Sequence, residues 1–262
     1  MHLHQTTKDV LERILEAEKK QCYSMHVDSQ PSLDFIPIDA SFSYHKTISK
    51  RVGYFFVNQF LVKPYRFYAN HIWLQTEIVG KQNIKSISSG AILTCNHVNK
   101  LDSLVVGHAL KDRHIRYTAA EFNNLKGRLG CFMRAHGMLS IPSKQCYMRK
   151  FSMEVADSLK KKDWILFFPE GSEWWCYEKP RPYQTGAFHF AAKHHVPIVP
   201  LFITFKKTAS IDSMGLEKRK FILHILRPIY PKNNLSLTEN KAYLKEENER
   251  VIWDCYKRFY SI

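Results

Sequence analysis

The chain has 262 residues, of which 45% are apolar and 24% are charged. This usage is close to the globular average and excludes a disordered, collagen-like or coiled-coil protein. Lys and Arg number 39 against 24 Asp and Glu, so the net charge is +15 with neutral histidines. The basic excess favours an anionic partner, which can be nucleic acid, a phosphorylated metabolite or an acidic membrane surface.

Six cysteines are spread along the chain without a Cys-x-x-Cys pair, and no secretory signal is visible. This pattern is typical of a reducing cytosol. The longest mostly apolar stretch, VGYFFVNQFLV at 52–62, is about half of the roughly 20 residues that a membrane-spanning helix needs. We therefore expect no transmembrane span, and any membrane contact is expected to be peripheral.

Two helices are predicted near the start of the chain. The first runs from about residue 7 to residue 23, with Thr6 as its cap, and the second from about 44 to 62. Breaks are predicted at prolines, namely Pro31, Pro37 and Pro64. Residues 1–72 are interpreted as a helical appendage that associates with a membrane.

From Trp73 onward, short β-rich runs alternate with helical patterns, which predicts an α/β fold. Strands are expected at 74–79, 90–95, 115–120, 164–168, 198–205 and 221–226. Helices are expected at 101–110, 144–161, 185–195 and 237–260, the last with Ser236 and Glu239 at capping-box spacing. Residues 73–262 are therefore predicted to form one domain, a layered mixed sheet flanked by helices.

The sharpest motif is TCNHVNKLDS at 94–103. A β-rich run ends at Cys95, so His97 is expected at the carboxyl edge of a sheet, where α/β proteins form their sites. A turn into a helix can bring Asp102 back to the imidazole and hold one ring nitrogen as N–H. The other nitrogen is then a general base that can deprotonate an alcohol. Chance is the alternative, because the chain has 13 histidines.

The second motif is ILFFPEGSEWW at 165–175, where a buried-looking strand runs into a turn. Gly171 and Ser172 can present backbone N–H groups to an anion, and Glu170 can accept hydrogen bonds from a hydroxylated substrate. A simple strand-ending turn without function explains the same residues.

Taken together, the segments NHVNKLD, FPEGS and VPIVP resemble the motif set of the glycerophospholipid acyltransferase family, the lysophosphatidate acyltransferases. Their order and spacing match, and TEIVGKQNI at 76–84 and QTGAF at 184–188 resemble the flanking segments of that family. The resemblance covers roughly residues 73–205. It implies the layered α/β fold that the pattern of strands and helices predicts independently.

The resemblance implies transfer of a fatty acyl group from acyl-CoA or acyl-carrier protein to a lysophospholipid hydroxyl, most directly from 1-acyl-glycerol-3-phosphate to phosphatidate. His97 would be the base and Asp102 would orient it. Asn96 would position the turn within the binding region, and the acceptor would be bound by Glu170, Gly171 and Ser172. No metal or further cofactor is expected, because a thioester is already an activated acyl donor.

Two positions depart from the family pattern. Glu173 follows Pro-Glu-Gly-Ser where the family commonly has an Arg, and Ser143 stands where the second motif usually ends in an Arg. Lys144 and Arg181 are therefore predicted to supply charge for the acceptor phosphate. The alternative is that each is an ordinary surface charge.

Several other interpretations stay open at this point. The acceptor can be a different lysolipid or a hydroxyl without a bare phosphate, and a basic nucleic-acid-binding protein is a remote alternative. Cys95 is expected to be a buried strand residue and not a nucleophile, and His194 and His195 lack a third metal ligand at a recognisable spacing. We expect a peripheral protein at the cytoplasmic face of a membrane.

Overall fold

The structure is a computed structural model and describes residues 2–27, 34–211 and 217–262. Its α-helices are α1 (His2–Lys19), α2 (Ile48–Val57), α3 (Lys63–Tyr68), α4 (Asp102–Ala109), α5 (Gly127–Ala135), α6 (Met148–Lys160), α7 (Gly186–His194) and α8 (Leu237–Tyr260). Its strands are β1 (Glu77–Val79), β2 (Ala91–Cys95), β3 (Ile115–Ala120), β4 (Met138–Ile141), β5 (Trp164–Phe167), β6 (Ile198–Ile211) and β7 (Glu217–Ile225).

The seven strands form one sheet in the order β1-β7-β6-β2-β5-β3-β4. Every neighbouring pair is parallel except β6 and β7, so the predicted mixed sheet is confirmed. All five residues of β2 are buried, as expected for a central parallel strand that is covered on both faces. In the register, Leu93 lies between Leu166 of β5 and Val199 of β6.

Alternating side chains of β2 divide the core into two layers, because successive residues of a strand point to opposite faces. Leu93 and Cys95 pack in one layer with Val105 of α4. Ile92 packs in the other layer with Phe188 of α7 and with residues of α6 and α8. Helices therefore cover both faces of the sheet, and the carboxyl ends of the parallel strands stay open for a site.

The structure contains two elements that the sequence pattern did not predict. Strand β4 has only four residues between Gly137 and Pro142, too few for a clear alternation. Helix α5 carries Gly127 and Gly130, which lower helix propensity. By contrast, the last helix begins as predicted at Ser236, which accepts from the Glu239 N–H while the Glu239 carboxylate accepts from the Ser236 N–H.

The first helix differs from the prediction at both ends. It begins at His2, so Thr6 lies inside it and is not its cap, and it ends at Lys19. Pro31, the predicted break after this helix, lies outside the described residues. Ile14 and Ala17 are buried against Trp174, so apolar burial and not a cap residue anchors this helix on the α/β domain.

The predicted interruption at Pro64 was wrong. Residues 48–73, here called the rod, run continuously through α2, a π turn at Asn58–Val62, α3 and a second π turn at Ala69–Trp73. Proline lacks an N–H and its ring clashes with the carbonyl four residues back in an α-helix. The wider π turn before Pro64 relieves both problems, since its bonds reach five residues back, as from the Lys63 N–H to the Asn58 carbonyl.

The rod lies on the domain along one side and is exposed along the other. On the inner side the Asn58 amide donates to the Ala135 carbonyl at 2.8 Å and Tyr65 packs edge-on against Phe132. The outer side carries exposed apolar side chains at Ile48, Val52, Phe55, Phe56, Phe60, Leu61, Phe67, Tyr68, Ile72 and Trp73. Among the described residues, no helix has the length and apolar character required to cross a bilayer.

Candidate active site

The two main sequence motifs meet because β2 and β5 are neighbouring parallel strands. His97 follows the carboxyl end of β2, and Glu170 follows the carboxyl end of β5. Although 73 residues separate them, the His97 backbone N–H donates to a Glu170 carboxylate oxygen at 3.0 Å. The predicted position of His97 at the carboxyl edge of the sheet is thus confirmed by the fold.

His97 and Asp102 form a close pair. The distance from His97 Nδ1 to Asp102 Oδ2 is 2.9 Å. The side chain of Asp102 is fully buried, whereas that of His97 is 25% exposed. Because a carboxylate only accepts hydrogen bonds, Nδ1 carries the proton, and Nε2 is left with a lone pair for a substrate hydroxyl.

Asp102 is held in place by the turn that it closes. It is the first residue of α4, and the same Oδ2 atom accepts from the backbone N–H groups of Val98 at 2.7 Å and Asn99 at 2.9 Å. The carboxylate also lies at the positive end of the helix dipole. Backbone geometry therefore fixes the carboxylate before it orients the imidazole.

The ring of Phe168 stacks on His97, with ring centroids 4.2 Å apart and planes 19° from parallel. Phe168 belongs to the FFPEGS segment, so this motif supports the imidazole from the side as well as through Glu170. The stacking restricts rotation of the imidazole, and its role was not predicted from the sequence.

Arg181 and Glu170 form a buried ion pair beneath this turn, and each side chain is 1% exposed. One guanidinium nitrogen of Arg181 donates to the Glu170 carboxylate, the His97 carbonyl and the Ser172 carbonyl. The other donates to Ser172 Oγ at 3.0 Å and to the Tyr23 carbonyl at 2.9 Å. In this conformation Arg181 binds the loops of the protein, so its predicted contact with an acceptor phosphate is replaced by a positioning contact.

The predicted acceptor-binding segment also contains residues that contact the protein and not a substrate. Glu170 and Ser172 are buried and engaged with protein groups, so they support the His97 turn and do not face a substrate. Gly171 is exposed between them in a left-handed conformation, with φ at 83°, which a side chain would strain.

The N-terminal segment contributes to this support. The indole N–H of Trp174 donates to the Met25 carbonyl at 2.9 Å, and the Arg181 guanidinium lies over the Trp174 ring at 4.6 Å. Together with the contact to Tyr23, these bonds attach the segment after α1 to the His97 turn. The contribution of residues near the start of the chain was not visible in the motifs.

Asn96 is also turned away from a substrate. Its side chain is buried and exchanges two hydrogen bonds with the backbone of Ile203 on β6, at 2.9 and 2.8 Å. Its amide thus replaces a backbone pair where β2 ends and fixes the position from which His97 emerges. These contacts agree with the expectation that Asn96 positions the turn. They do not agree with a contact between the Asn96 side chain and the substrate.

Lys144 is exposed and follows β4, three strands away from β2 in the sheet. At the usual strand spacing this separates the two strand ends by about 14 Å. The neighbouring Ser143 donates its backbone N–H to the carboxylate of Glu121 at 2.6 Å. Lys144 therefore lies on the same open edge as His97, but outside its immediate surroundings.

Two further possibilities from the sequence, a nucleophile at Cys95 and a metal site, can be compared with the structure. Cys95 is fully buried, and burial raises the pKa of its thiol well above the ordinary value, so it is a core residue and not a thiolate nucleophile. Within the part of the chain that the structure describes, no group of three or more His, Cys, Asp and Glu side chains is placed to hold a metal ion.

Comparison with known proteins places the chain in a family. Residues 75–204, about half of the chain, match the family model described as Acyltransferase. Over 172 residues the chain is 28% identical to the 1-acyl-sn-glycerol-3-phosphate acyltransferase of Saccharomyces cerevisiae (strain ATCC 204508 / S288c), which covers 64% of this chain and 55% of the relative. The chain therefore spans about half the length of that curated relative.

A solved structure shows the same fold. The crystal structure of the 1-acyl-sn-glycerophosphate (LPA) acyltransferase PlsC from Thermotoga maritima matches with a TM-score of 0.57 at 19% identity, over 78% of this chain and 82% of that chain. At this identity the likeness concerns the fold alone. The family match, with which the motif set agrees, makes residues 75–204 a domain of the Acyltransferase family.

Proposed function

We propose that the protein transfers a fatty acyl group from an acyl thioester, acyl-CoA or acyl-carrier protein, to the free hydroxyl of 1-acyl-glycerol-3-phosphate and so forms phosphatidate. The observation that carries the proposal is the His97–Asp102 pair at the open edge of the sheet, with Nδ1 held at 2.9 Å by a buried carboxylate. The names of the matched relatives support this acceptor.

The chemistry follows from the orientation of the imidazole. Nε2 of His97 takes the proton of the acceptor hydroxyl while the oxygen attacks the thioester carbonyl carbon. A new C–O ester bond forms, the C–S bond breaks, and the imidazolium returns the proton to the departing thiolate. Asp102 stabilises the charged imidazolium, and Glu170, Arg181 and Phe168 keep the ring in the attacking position.

An acceptor panel tests this proposal. The purified protein is incubated with acyl-CoA or acyl-carrier protein and with lysophosphatidate, other lysophospholipids or glycerol phosphate. Thiol release reports the donor, and lipid extraction reports the product. Phosphatidate formation that depends on lysophosphatidate is the expected result. Thiol release that is the same with and without any acceptor would contradict the proposed transfer.

A second acceptor class is favoured by Glu173 and Ser143, which stand where the family usually places phosphate-binding arginines. A carboxylate near a phosphate with two charges opposes binding unless another base intervenes. If Lys144 supplies that base, Lys144→Ala raises the KM for lysophosphatidate and leaves that for the thioester unchanged. If the acceptor has a masked phosphate, Lys144→Ala has no effect and Glu173→Arg improves the use of lysophosphatidate.

The same proposal includes peripheral docking on the cytoplasmic face of an anionic membrane through residues 1–72. The exposed aromatic and aliphatic side chains of the rod support this, because such side chains favour the bilayer interface. The net charge of +15 adds attraction to anionic lipid.

Vesicle flotation tests the docking. Phe60→Asp with Phe67→Asp places two carboxylates on the exposed side of the rod and is expected to release the protein from anionic vesicles. Met153→Asp on α6 is the matched control, because Met153 is exposed to a similar degree but lies outside the rod. Equal loss of binding in both variants would count against a role of the rod.

A further inference from the structure

A cluster of basic side chains, Arg66, His71 and His108, lies where the rod crosses α4. The rings of His71, on the rod, and His108, on α4, are 4.9 Å apart and perpendicular. Arg66 approaches the same helix at Gly107, where a Cβ atom would lie 3.4 Å from a guanidinium nitrogen of Arg66. The three side chains come from two separate elements of the fold, so their proximity is a product of tertiary packing.

This cluster lacks a counter-charge of its own. Within the described residues, no hydrogen bond or ion pair engages the Arg66 guanidinium, and burial lowers its pKa. A partly buried charge without a partner is costly, and an anion that binds there offsets this cost. Burial, and then the neighbouring cations, also lower the pKa of the His108 imidazole, so an anion that binds here favours its protonation.

The surroundings of the cluster are apolar and exposed. Phe67 packs against His71 in a tilted arrangement with ring centroids 4.3 Å apart, and Phe67, Ile72 and Trp73 are all exposed on the rod. A site for a dissolved metabolite needs no such rim, whereas the phosphate of a membrane lipid arrives with acyl chains that contact it. Charge and apolar surface therefore point to the same occupant.

We propose that Arg66, His71 and His108 form a binding site for the phosphate group of an anionic membrane phospholipid, separate from the His97 site, and that this site tightens as the pH falls. The inference rests on the proposed docking of the rod. It adds a specific lipid contact and a pH response to that docking.

The pH response depends on every titratable group that faces the cluster. Lys111 and Lys81 add positive charge at His108, and Asp112 is paired with Lys81 at 3.4 Å. His136, which follows the last residue of α5, also faces Arg66, but burial lowers its pKa to about 4, so it stays neutral in this pH range. Burial and the nearby cations lower the pKa of His108, and a phosphate beside it opposes that shift, so protonation of His108 is the change that couples phosphate binding to pH.

The test uses the full chain and vesicles of phosphatidylcholine with or without phosphatidylglycerol. Binding of the wild type to the anionic vesicles is expected to strengthen from pH 8 to pH 6, by up to about fivefold for one added charge at His108. His71→Ala with His108→Ala removes this gain. His45→Ala, an exposed histidine before the other end of the rod, retains it. Circular dichroism confirms that the variants are folded.

Each outcome decides the proposal. If the double variant keeps the pH response, or the wild type shows none, the site is wrong although docking of the rod stands. If the wild type binds neither vesicle at either pH, the docking and the site both fail. If inorganic phosphate binds the protein without vesicles, and His71→Ala with His108→Ala abolishes this binding while the same double variant binds anionic vesicles like the wild type, the site belongs to soluble phosphate and the lipid assignment is overturned.

Discussion

Two histidine–aspartate pairs lie at opposite ends of the central strands. His97 follows the carboxyl end of β2, whereas His114 and Asp163 precede the amino ends of β3 and β5. Their hydrogen bonds are nearly equal, 2.9 Å between His97 and Asp102 and 2.8 Å between His114 and Asp163. Distance alone therefore does not distinguish the pair that we propose as catalytic from the other pair.

The environments of the two pairs differ. The side chains of His97 and Asp102 are 25% and 0% exposed, and those of His114 and Asp163 are 74% and 11% exposed. Two backbone N–H groups, a stacked ring and a buried ion pair hold the first pair, whereas the His114 imidazole stands largely in water. A fixed orientation at the open edge of the sheet, and not the hydrogen bond itself, is what makes a base useful.

The largest expected effect separates the two histidines directly. His97→Ala should reduce acyl transfer by on the order of 10²- to 10⁴-fold, because the general base is lost. His114→Ala, which removes an imidazole with the same kind of partner, should leave the rate near that of the wild type. Steady-state thiol release measures both variants. Equal activity of the two would end the distinction.

The next effect concerns the support beneath His97. Arg181→Gln leaves the Glu170 carboxylate buried without its partner and should lower the free energy of unfolding by about 3–5 kcal/mol. Arg250→Gln on α8, where Glu247 and Asp254 are exposed partners, should cost less than about 1 kcal/mol. Urea denaturation measures both values. A small effect of Arg181→Gln would mean that the buried pair does not hold the turn.

A smaller effect compares the two aspartates. Asp102→Asn replaces an acceptor of three N–H donors by an amide, and should cost about 1–3 kcal/mol of stability as well as activity, since a buried donor loses its partner. Asp163→Asn should change stability by less than about 1 kcal/mol and leave the rate unchanged. Denaturation and turnover are measured on the same samples. A variant at Asp102 with full activity would show that the carboxylate does not orient the base.

The smallest effect uses a third histidine, which is buried without a carboxylate. Burial lowers the pKa of His136 to about 4. The unfolded chain takes up this proton near pH 6.5 and the folded chain does not, so the free energy of unfolding declines as the pH falls from about 6.5 towards 4. At pH 5 this difference in proton uptake lowers the free energy of unfolding by about 2 kcal/mol, and His136→Gln should remove that part of the decline.

The matched control for this experiment is His114→Gln, because His114 is exposed and beside a carboxylate. It shows how far the loss of an exposed histidine changes the free energy of unfolding at each pH. A parallel decline in His136→Gln and the wild type would show that His136 does not remain neutral on folding.

The sequence predicts those parts of the site that local geometry determines. His97 and Asp102 are five residues apart, so a strand that ends and a helix that begins are enough to bring them together. The mixed sheet was predicted for a similar reason, because buried strands alternate with helices along the chain. In both cases the interactions that determine the structure join residues close to each other in the sequence, or follow a pattern that repeats along it.

Contacts between distant residues could not be predicted. Arg181 reaches the His97 carbonyl across 84 residues, and Asn96 reaches Ile203 across 107. Nothing in a motif tells whether an arginine faces a substrate or a buried carboxylate, so Arg181 was expected to bind the acceptor phosphate. For the same reason the partner of the Asn96 amide on β6 was not foreseen. The passage of the rod through Pro64 was missed because π turns have no sequence signal as strong as proline itself.

The contacts of Arg181 also have a consequence for the order in which parts of the site can form during synthesis. Glu170 and Arg181 leave the ribosome 73 and 84 residues after His97, a delay of roughly 4–17 s at ordinary rates of synthesis. Throughout this delay the His97 turn has its aspartate but lacks the acceptor for its own backbone N–H. The Tyr23 carbonyl lacks its hydrogen-bond donor for longer, since Arg181 lies 158 residues downstream. Tyr23 is therefore translated long before the side chain that binds its carbonyl.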